Sequence, residues 1–201
     1  MLQEAGRSWL KALDPRAVRS NLLLAGLLLT AYELVRSTIV DKVRSFFCWE
    51  YRGAKLIDSD EYRDHVISRH EDRLHASCLW LQDMGALEQR DLTTIGNARK
   101  HRNALAHELP RFLADARKHV DSELLAEMQE VLAKVGRWFI REVEIPSDPQ
   151  CDGKTIDDSD ILSGNSLLLQ VLIDAAIGSP GRASKLYESV VGELRRRGIM
   201  S

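Results

Sequence analysis

Residues 98–110 (ARKHRNALAHELP) place an arginine, an amide and an imidazole close together on one predicted helix. Asn103 and His107 are four residues apart, so a helix stacks them on one face, and Arg102 directly precedes Asn103. Arginine can bind phosphate oxygens and the negative charge that develops on them, while histidine can move protons near neutral pH. These three residue types together indicate phosphoryl chemistry that does not require a metal ion.

Arg102 falls near the middle of an apolar stripe when the helix is drawn with 3.6 residues per turn. Such a cation must be paired, must reach a cleft or must lie at an interface, because an unpaired buried charge is costly. Glu33, in an otherwise apolar predicted helix, is the expected partner, and it could position Arg102 as well as neutralise it. The stripe consists of Ile95, Ala98, Leu105, Ala106 and Leu109.

The region around this helix is locally basic. Residues 95–120 contain six Lys or Arg and three His against two Asp or Glu, although the formal net charge of the 201-residue chain is -2. The overall charge argues against a protein that coats nucleic acid, because such binding needs many cations facing phosphates. The sequence therefore predicts a local site at which nucleic acid docks.

The arrangement Arg102-Asn103-x-x-x-His107 resembles the signature of HEPN domains, in which Arg and Asn, Asp or His are followed by a short spacer and a His. HEPN domains are all-helical, and many are metal-independent ribonucleases of toxin–antitoxin, abortive-infection (phage-defence) and CRISPR systems. The resemblance covers roughly residues 15–144. It implies a homodimer in which two copies of the motif form one cleft.

The resemblance also implies a role for each motif residue. Arg102 would bind the scissile phosphate, His107 would act as general acid or base, and Asn103 would orient the reacting groups. We expect Arg99 and Lys100 to contact RNA phosphates, with no metal ligands and no cofactor. An antitoxin or nucleotidyltransferase partner would be another chain, since the sequence has no nucleotidyltransferase signature.

Simpler interpretations remain open for the same residues. His107 could be a cation that favours the end of a helix, because Pro110 follows soon after. Arg102 and Glu33 could form a purely structural ion pair. The alternative function is a non-catalytic helical module that uses this face to dimerise or to bind a protein.

The elements that must position the motif are helices. Hydrophobic periodicity and capping residues predict helices at about 15–47, 59–84, 91–110 and 122–143, with a loop near Gly53 and an end at Gly85. No alternating strand pattern stands out. The predicted fold is all-α, an up-and-down four-helix bundle with a helical C-terminal extension. We expect residues 1–144 to form the bundle, 145–160 a linker, and 161–201 the extension, with helices near 167–177 and after a turn at 179–181.

Three other groups of residues have simpler explanations. His65, His70 and His75 recur every five residues, which on one helix would point them away from a shared metal. The acidic cluster of Asp157, Asp158 and Asp160 is typical of linker solvation and a helix cap. The basic run at residues 195–197 is typical of a solvated tail, with RNA contact as its alternative.

Cysteine content and hydropathy give the expected setting. Cys48, Cys78 and Cys151 are odd in number and contain no CxxC pair, so we expect neither a disulfide framework nor a zinc site, and we expect a reducing cytoplasm. Residues 22–31 (LLLAGLLLTA) are far shorter than the roughly 20 residues that span a bilayer, so we expect no membrane insertion.

Overall fold

The computed structural model describes residues 2–151, 157–158, 161–178 and 180–196. In this part of the chain nearly all regular structure is helical, which confirms the predicted all-α class. The helices are α1 (Leu2–Leu13), α2 (Pro15–Phe47), α3 (Asp60–His65), α4 (Arg73–Asp83), α5 (Gln89–Ala114), α6 (Ser122–Phe139), α7 (Ile145–Ser147), α8 (Gly164–Ala176) and α9 (Pro180–Arg196). The two short strands are β1 (Tyr51–Arg52) and β2 (Lys55–Leu56).

Helix α2 is the central element, and it contacts α1, α3, α4, α5, α6 and α8. It begins as predicted, because the Asp14 carboxylate accepts a hydrogen bond from the backbone N–H of Arg16 and Pro15 occupies the first turn. Its inward face is buried in the one hydrophobic core that the packed helices share, called the common core below. That face includes Leu28, Ala31, Val35, Ile39 and Val43.

By length and composition alone, α2 could also cross a membrane, and 44% of its most apolar window lies inside the protein. This window is longer than the ten-residue run at 22–31. Core helices and signal sequences meet the same criterion.

A small β-hairpin lies where the sequence predicts only a loop. β1 and β2 pair antiparallel, with Tyr51 opposite Leu56 and Arg52 opposite Lys55. Gly53 has a φ of 63°, a left-handed conformation that glycine adopts without strain. The strands were missed because each has only two residues, too few to show an alternating pattern.

The second predicted helix, at 59–84, is wrong as one element. Its ends are correct, since the Ser59 hydroxyl caps α3 and Gly85 follows α4 with a φ of 74°. Between them α3 stops at His65, a 3₁₀ turn follows (Ile67–Arg69), and α4 begins only at Arg73. The Asp72 carboxylate starts α4 by accepting a hydrogen bond from the backbone N–H of His75.

Helix α5 begins earlier than predicted and consists of two helical segments. It starts at Gln89, because Glu88 and Asp91 form a reciprocal capping box in which Asp91 is the third residue and not the first. Its regular backbone is interrupted at Glu108, whose φ and ψ are -126° and 21°, close to the predicted end near Pro110, and a second helical segment continues to Ala114. Proline kinks a helix because it lacks an N–H and its ring crowds the carbonyl four residues earlier.

Helix α1 was not predicted. It packs against α2 and α5 and fastens the end of α5 through polar contacts. The Lys11 ammonium donates to the backbone carbonyls of Asp115 and Lys118, and the Ser8 hydroxyl accepts from the N–H of Ala116. Three large apolar side chains of α1 stay exposed: Trp9, Leu10 and Leu13.

Of the two long C-terminal helices, α8 packs on the preceding helices and α9 packs on α8. α6 ends in a π-helical turn (Ile140–Glu144), and Asp158 of the predicted linker pairs with Arg141 at 3.0 Å. Helix α8 contacts α2 and α6 and places Leu169 in the common core. Arg195 and Arg196 are exposed. The turn residue Ser179, Asp160 and Arg197 lie outside the described residues.

Candidate functional site

Helix α5 presents the motif through a firmly packed first half. Ile95, Ala98 and Leu105 are buried in the common core, and the buried Thr94 donates from its hydroxyl to Glu127 of α6 at 3.0 Å. Asp91 is also buried and accepts from the Lys134 ammonium at 2.9 Å. The helix that carries the motif is therefore held in place by α6, and it also packs against α2.

Arg102 lies at the edge of the buried stripe and not at its middle. Ala106, which the sequence places in the stripe, is exposed, whereas Ala98 and Leu105 are buried, so the buried face is rotated away from Arg102. The Arg102 side chain is 38% exposed. Because it reaches solvent along one side, the cation keeps part of its hydration and remains available to a ligand.

The predicted contact between Arg102 and Glu33 is confirmed. Arg102 Nη2 lies 3.0 Å from Glu33 Oε1, and Arg102 Nη1 donates to Asn103 Oδ1 at 3.3 Å. The guanidinium carbon lies 5.8 Å from the centre of the Tyr32 ring, a cation–π distance. Arg102 is thus oriented from three sides by a carboxylate, an amide and an aromatic face.

Asn103 and His107 are both exposed on the same helix face, one turn apart. His107 directly precedes the kink at Glu108, and α5 ends at Ala114, seven residues after His107. The interpretation of His107 as a cation at a helix end depended on a stop near Pro110. The non-helical backbone at Glu108 places His107 in the last turn of the first helical segment of α5, where dipole stabilisation acts, so that interpretation stays open beside the catalytic one.

The two predicted phosphate-binding cations lie in different surroundings. Arg99 pairs with Asp72 of the α4 cap at 2.9 Å and belongs to the same neighbourhood as Tyr32 and Arg102. Lys100 instead lines a cavity of about 460 Å³ between α5 and the start of α6. That cavity is also lined by Asn97, His101, Ala104, Asp121, Glu123, Leu124 and Glu127.

Most of the predicted basic charge is neutralised. Of the six Lys and Arg residues in 95–120, five have a carboxylate within 4 Å: Arg99, Arg102, Arg111, Arg117 and Lys118. Only Lys100 shows no such partner in the described ranges of the chain. The cations predicted from the sequence are therefore present, but most of them are paired with carboxylates at the surface and do not form a free positive patch.

Two groups near the motif were missed by sequence reasoning. Burial acts most strongly to raise the pKa of Tyr32 above its usual value, and Arg99 opposes part of that effect. Burial also acts to raise the pKa of Asp72, but the backbone N–H of His75 and the Arg99 guanidinium outweigh it and lower that pKa. The start of α4 is therefore part of the polar surface around Arg99.

The premise that the histidines at 65, 70 and 75 lie on one helix is wrong. The rings of His70 and His75 lie 4.4 Å apart, because the chain between them is extended at His70 and does not continue one helix. His65 instead stacks near Phe47 at 6.2 Å. In the described residues, no three His, Cys, Asp or Glu side chains come together as a metal-binding group.

A second cavity, of about 680 Å³, lies between α1 and the kinked end of α5. Its lining includes Ala5, Ser8, Pro110 and Ala114 but none of the three motif residues. The candidate site at Arg102 is an open surface on α2 and α5, which suits a polymer better than a small enclosed substrate.

Comparison of the chain with protein-family models, curated proteins and solved structures finds no match. The fold and the site define an all-α protein with an Arg-Asn-His surface. This surface lies where α2 and α5, the two longest described helices, contact each other.

Proposed function

We propose that this protein is a metal-independent endoribonuclease of the HEPN type, with a four-helix bundle formed by α2, the α3–α4 segment, α5 and α6. The observation that carries the proposal is the surface on which Arg102 is oriented by Glu33, Asn103 and Tyr32, with exposed His107 on the same helix. Its proposed setting is a toxin–antitoxin or phage-defence system in the cytoplasm.

The proposed reaction uses the RNA itself as the nucleophile. The 2′-hydroxyl oxygen forms a bond to the neighbouring phosphorus while the bond from phosphorus to the 5′-oxygen breaks. A His107 imidazole removes the 2′-hydroxyl proton or delivers a proton to the leaving 5′-oxygen. Arg102 binds the charge that develops on the phosphate oxygens, and Asn103 orients the group. The products are a 2′,3′-cyclic phosphate and a 5′-hydroxyl.

One copy of the motif supplies one Arg and one His, whereas the reaction needs both a base and an acid. A homodimer that brings two copies of His107 together would supply both functions from one residue type. The exposure of Asn103, Ala106 and His107 leaves this face open for a second copy. An antitoxin or nucleotidyltransferase chain is the proposed regulatory partner.

The test incubates the purified chain with a labelled single-stranded RNA in excess chelator and identifies the ends of the fragments. Fragments that carry 2′,3′-cyclic phosphate and 5′-hydroxyl ends are expected. RNA that stays intact under these conditions would contradict the proposed reaction. Intact RNA together with a homodimer in solution would favour the alternative, a non-catalytic helical module whose motif face serves assembly.

A further inference from the structure

The hairpin formed by β1 and β2 displays two large aromatic rings to solvent. Trp49 is 76% exposed and Tyr51 is 65% exposed. Pairing continues one residue before β1, because the carbonyl of Glu50 accepts from the N–H of Ile57 at 2.9 Å. Residues two apart in an extended chain point to the same side, so positions 49 and 51 share one face of the hairpin. Two largely exposed aromatic rings on one face offer flat apolar surfaces on which a ligand can stack.

Two cations lie directly opposite each other in the same hairpin. Arg52 pairs with Lys55 in the strand register, and both side chains are exposed. Like charges in directly opposed positions destabilise a strand pair. Neither has a carboxylate within 4 Å among the residues that the structure describes. An anion bound between them would remove the repulsion, so this position favours a phosphate.

A row of arginines connects the base of the hairpin to the motif helix. Asp58, two residues after β2, pairs with Arg44 at 2.6 Å and with Arg73 at 2.9 Å. Arg73 follows Asp72, which pairs with Arg99, and Arg99 lies one helical turn before Arg102. A chain of ion pairs therefore connects the hairpin to the motif: the Arg44–Asp58 pair is mostly buried, whereas the guanidinium groups of Arg73, Arg99 and Arg102 are more exposed.

We propose that the hairpin is a base-stacking site for single-stranded RNA, whose backbone runs along the arginine row to Arg102. This inference rests on the proposed function, because it takes RNA as the substrate. Aromatic side chains bind single-stranded nucleic acid by stacking on bases of any sequence, while cations follow the backbone. Trp49 and Tyr51 would stack on bases, while Arg52 and Lys55, which the alternation places on the other face of the hairpin, would contact phosphates where the backbone passes around its edge.

The geometry of α2 sets the length of RNA that this track holds. Residues 33 and 47 are 14 positions apart, which at about 1.5 Å per residue is about 21 Å along the helix axis. At roughly 3.4 Å per stacked nucleotide this distance corresponds to about six nucleotides. An RNA of 20 nucleotides is thus long enough to contact the hairpin and Arg102 together.

The test measures fluorescence anisotropy of a labelled 20-nucleotide 2′-O-methyl RNA, whose blocked 2′-oxygen prevents the proposed cleavage. We expect Trp49→Ala and Tyr51→Ala each to weaken binding at least fivefold, the lower end of base–aromatic stacking. Arg52→Ser with Lys55→Ser should lower the slope of log affinity against log salt by about 1.4, since each lost phosphate contact accounts for about 0.7. Tyr187→Ala, which removes a ring that is 68% exposed on α9, is the matched control and should change affinity less than twofold.

Unchanged affinity in the Trp49→Ala, Tyr51→Ala double variant would overturn the inference. So would binding of anionic vesicles that depends on Trp49 in a protein that binds no oligonucleotide, because the hairpin would then contact lipid. If the hairpin variants bind the oligonucleotide normally and the unmodified chain still cleaves RNA, the hairpin site is contradicted and the proposed function is not. If binding depends on the hairpin but the protein never cleaves RNA, the hairpin site is supported and the proposed function is contradicted.

Discussion

Arg102 of α5 and Glu33 of α2 form a 3.0 Å ion pair across the contact of these two helices. The two side chains are 38% and 49% exposed, so water screens the pair, and exposed pairs of this kind contribute only about 0–1 kcal/mol. A phosphate can therefore replace the Glu33 carboxylate at small cost. The contact is compatible with both a structural and a catalytic role for Arg102, and the first prediction separates the two.

Glu33→Gln removes one negative charge beside Arg102 and keeps a hydrogen-bond acceptor. We expect the free energy of unfolding to change by less than about 1 kcal/mol, because the ion pair is exposed. Affinity for single-stranded RNA should rise, since phosphate no longer competes with a carboxylate. Urea unfolding and anisotropy check the two effects, and Glu130→Gln on the exposed side of α6 is the control. A large loss of stability with no gain in RNA affinity would identify the pair as structural only.

The surroundings of His101 predict how the free energy of unfolding depends on pH. Burial lowers the pKa of His101 below its usual value, and Asp121 offsets part of this effect. Its Nε2 accepts a hydrogen bond from the backbone N–H of Asp121 at 3.2 Å, which requires the neutral ring. The unfolded chain, with an ordinary histidine pKa of about 6.5, binds the proton first as the solution is acidified. The stabilisation is therefore fully present above about pH 6.5 and is lost as pH falls through the lower folded pKa.

The measurement is urea unfolding at a series of pH values from 7.5 to 5. Stability should decrease towards pH 5 in the unmodified chain, and His101→Gln should flatten that decrease because Gln accepts a hydrogen bond without titrating. The exposed His119, changed to Gln, should leave the slope as it was. Identical slopes in all three proteins would contradict the assignment to His101.

The close approach of α8 to α6 at Gly136 predicts that a larger side chain at this position destabilises the protein. A Cβ at this position would lie 2.4 Å from Ser163 Oγ and 2.6 Å from Ser163 Cβ, closer than atoms can approach. Gly136→Ala should lower the free energy of unfolding by about 1–3 kcal/mol, the usual cost of overpacking. Gly96→Ala in α5, where nothing lies within 4 Å of the added Cβ, should instead stabilise by about 0.5–1 kcal/mol. Equal effects in the two variants, by thermal or urea unfolding, would show that α8 does not lie against α6 as described.

Local sequence signals predicted some of these elements and not others. The caps at Asp14 and Ser59 and the end at Gly85 are determined by neighbouring residues, and each was predicted correctly. The break between α3 and α4 was missed, because residues 60–83 carry a charge and apolar pattern that is typical of one helix. In the structure α3 ends at His65, the chain is extended at His70, and the Asp72 cap starts α4.

The same break explains which parts of the site could be predicted. The contact of Arg102 with Glu33 followed from two charges placed among apolar positions. The contacts of Asp72 with Arg99 and of His70 with His75 exist only because α4 starts anew at Arg73, so no continuous-helix prediction contains them. The HEPN resemblance, the dimer and the RNA substrate stay predictions.

RNA cleavage by single-site variants tests the central claim most directly. Rates on one labelled RNA, in excess chelator, are compared for the unmodified chain, Arg102→Ala and His107→Ala, with Arg111→Ala and His119→Ala as controls of the same residue types on exposed positions. The proposed chemistry predicts that each motif variant loses at least about 100-fold in rate, the lower range for a general acid–base group or a charge-stabilising group, while the controls keep theirs. Equal rates in the unmodified chain and both motif variants would contradict it.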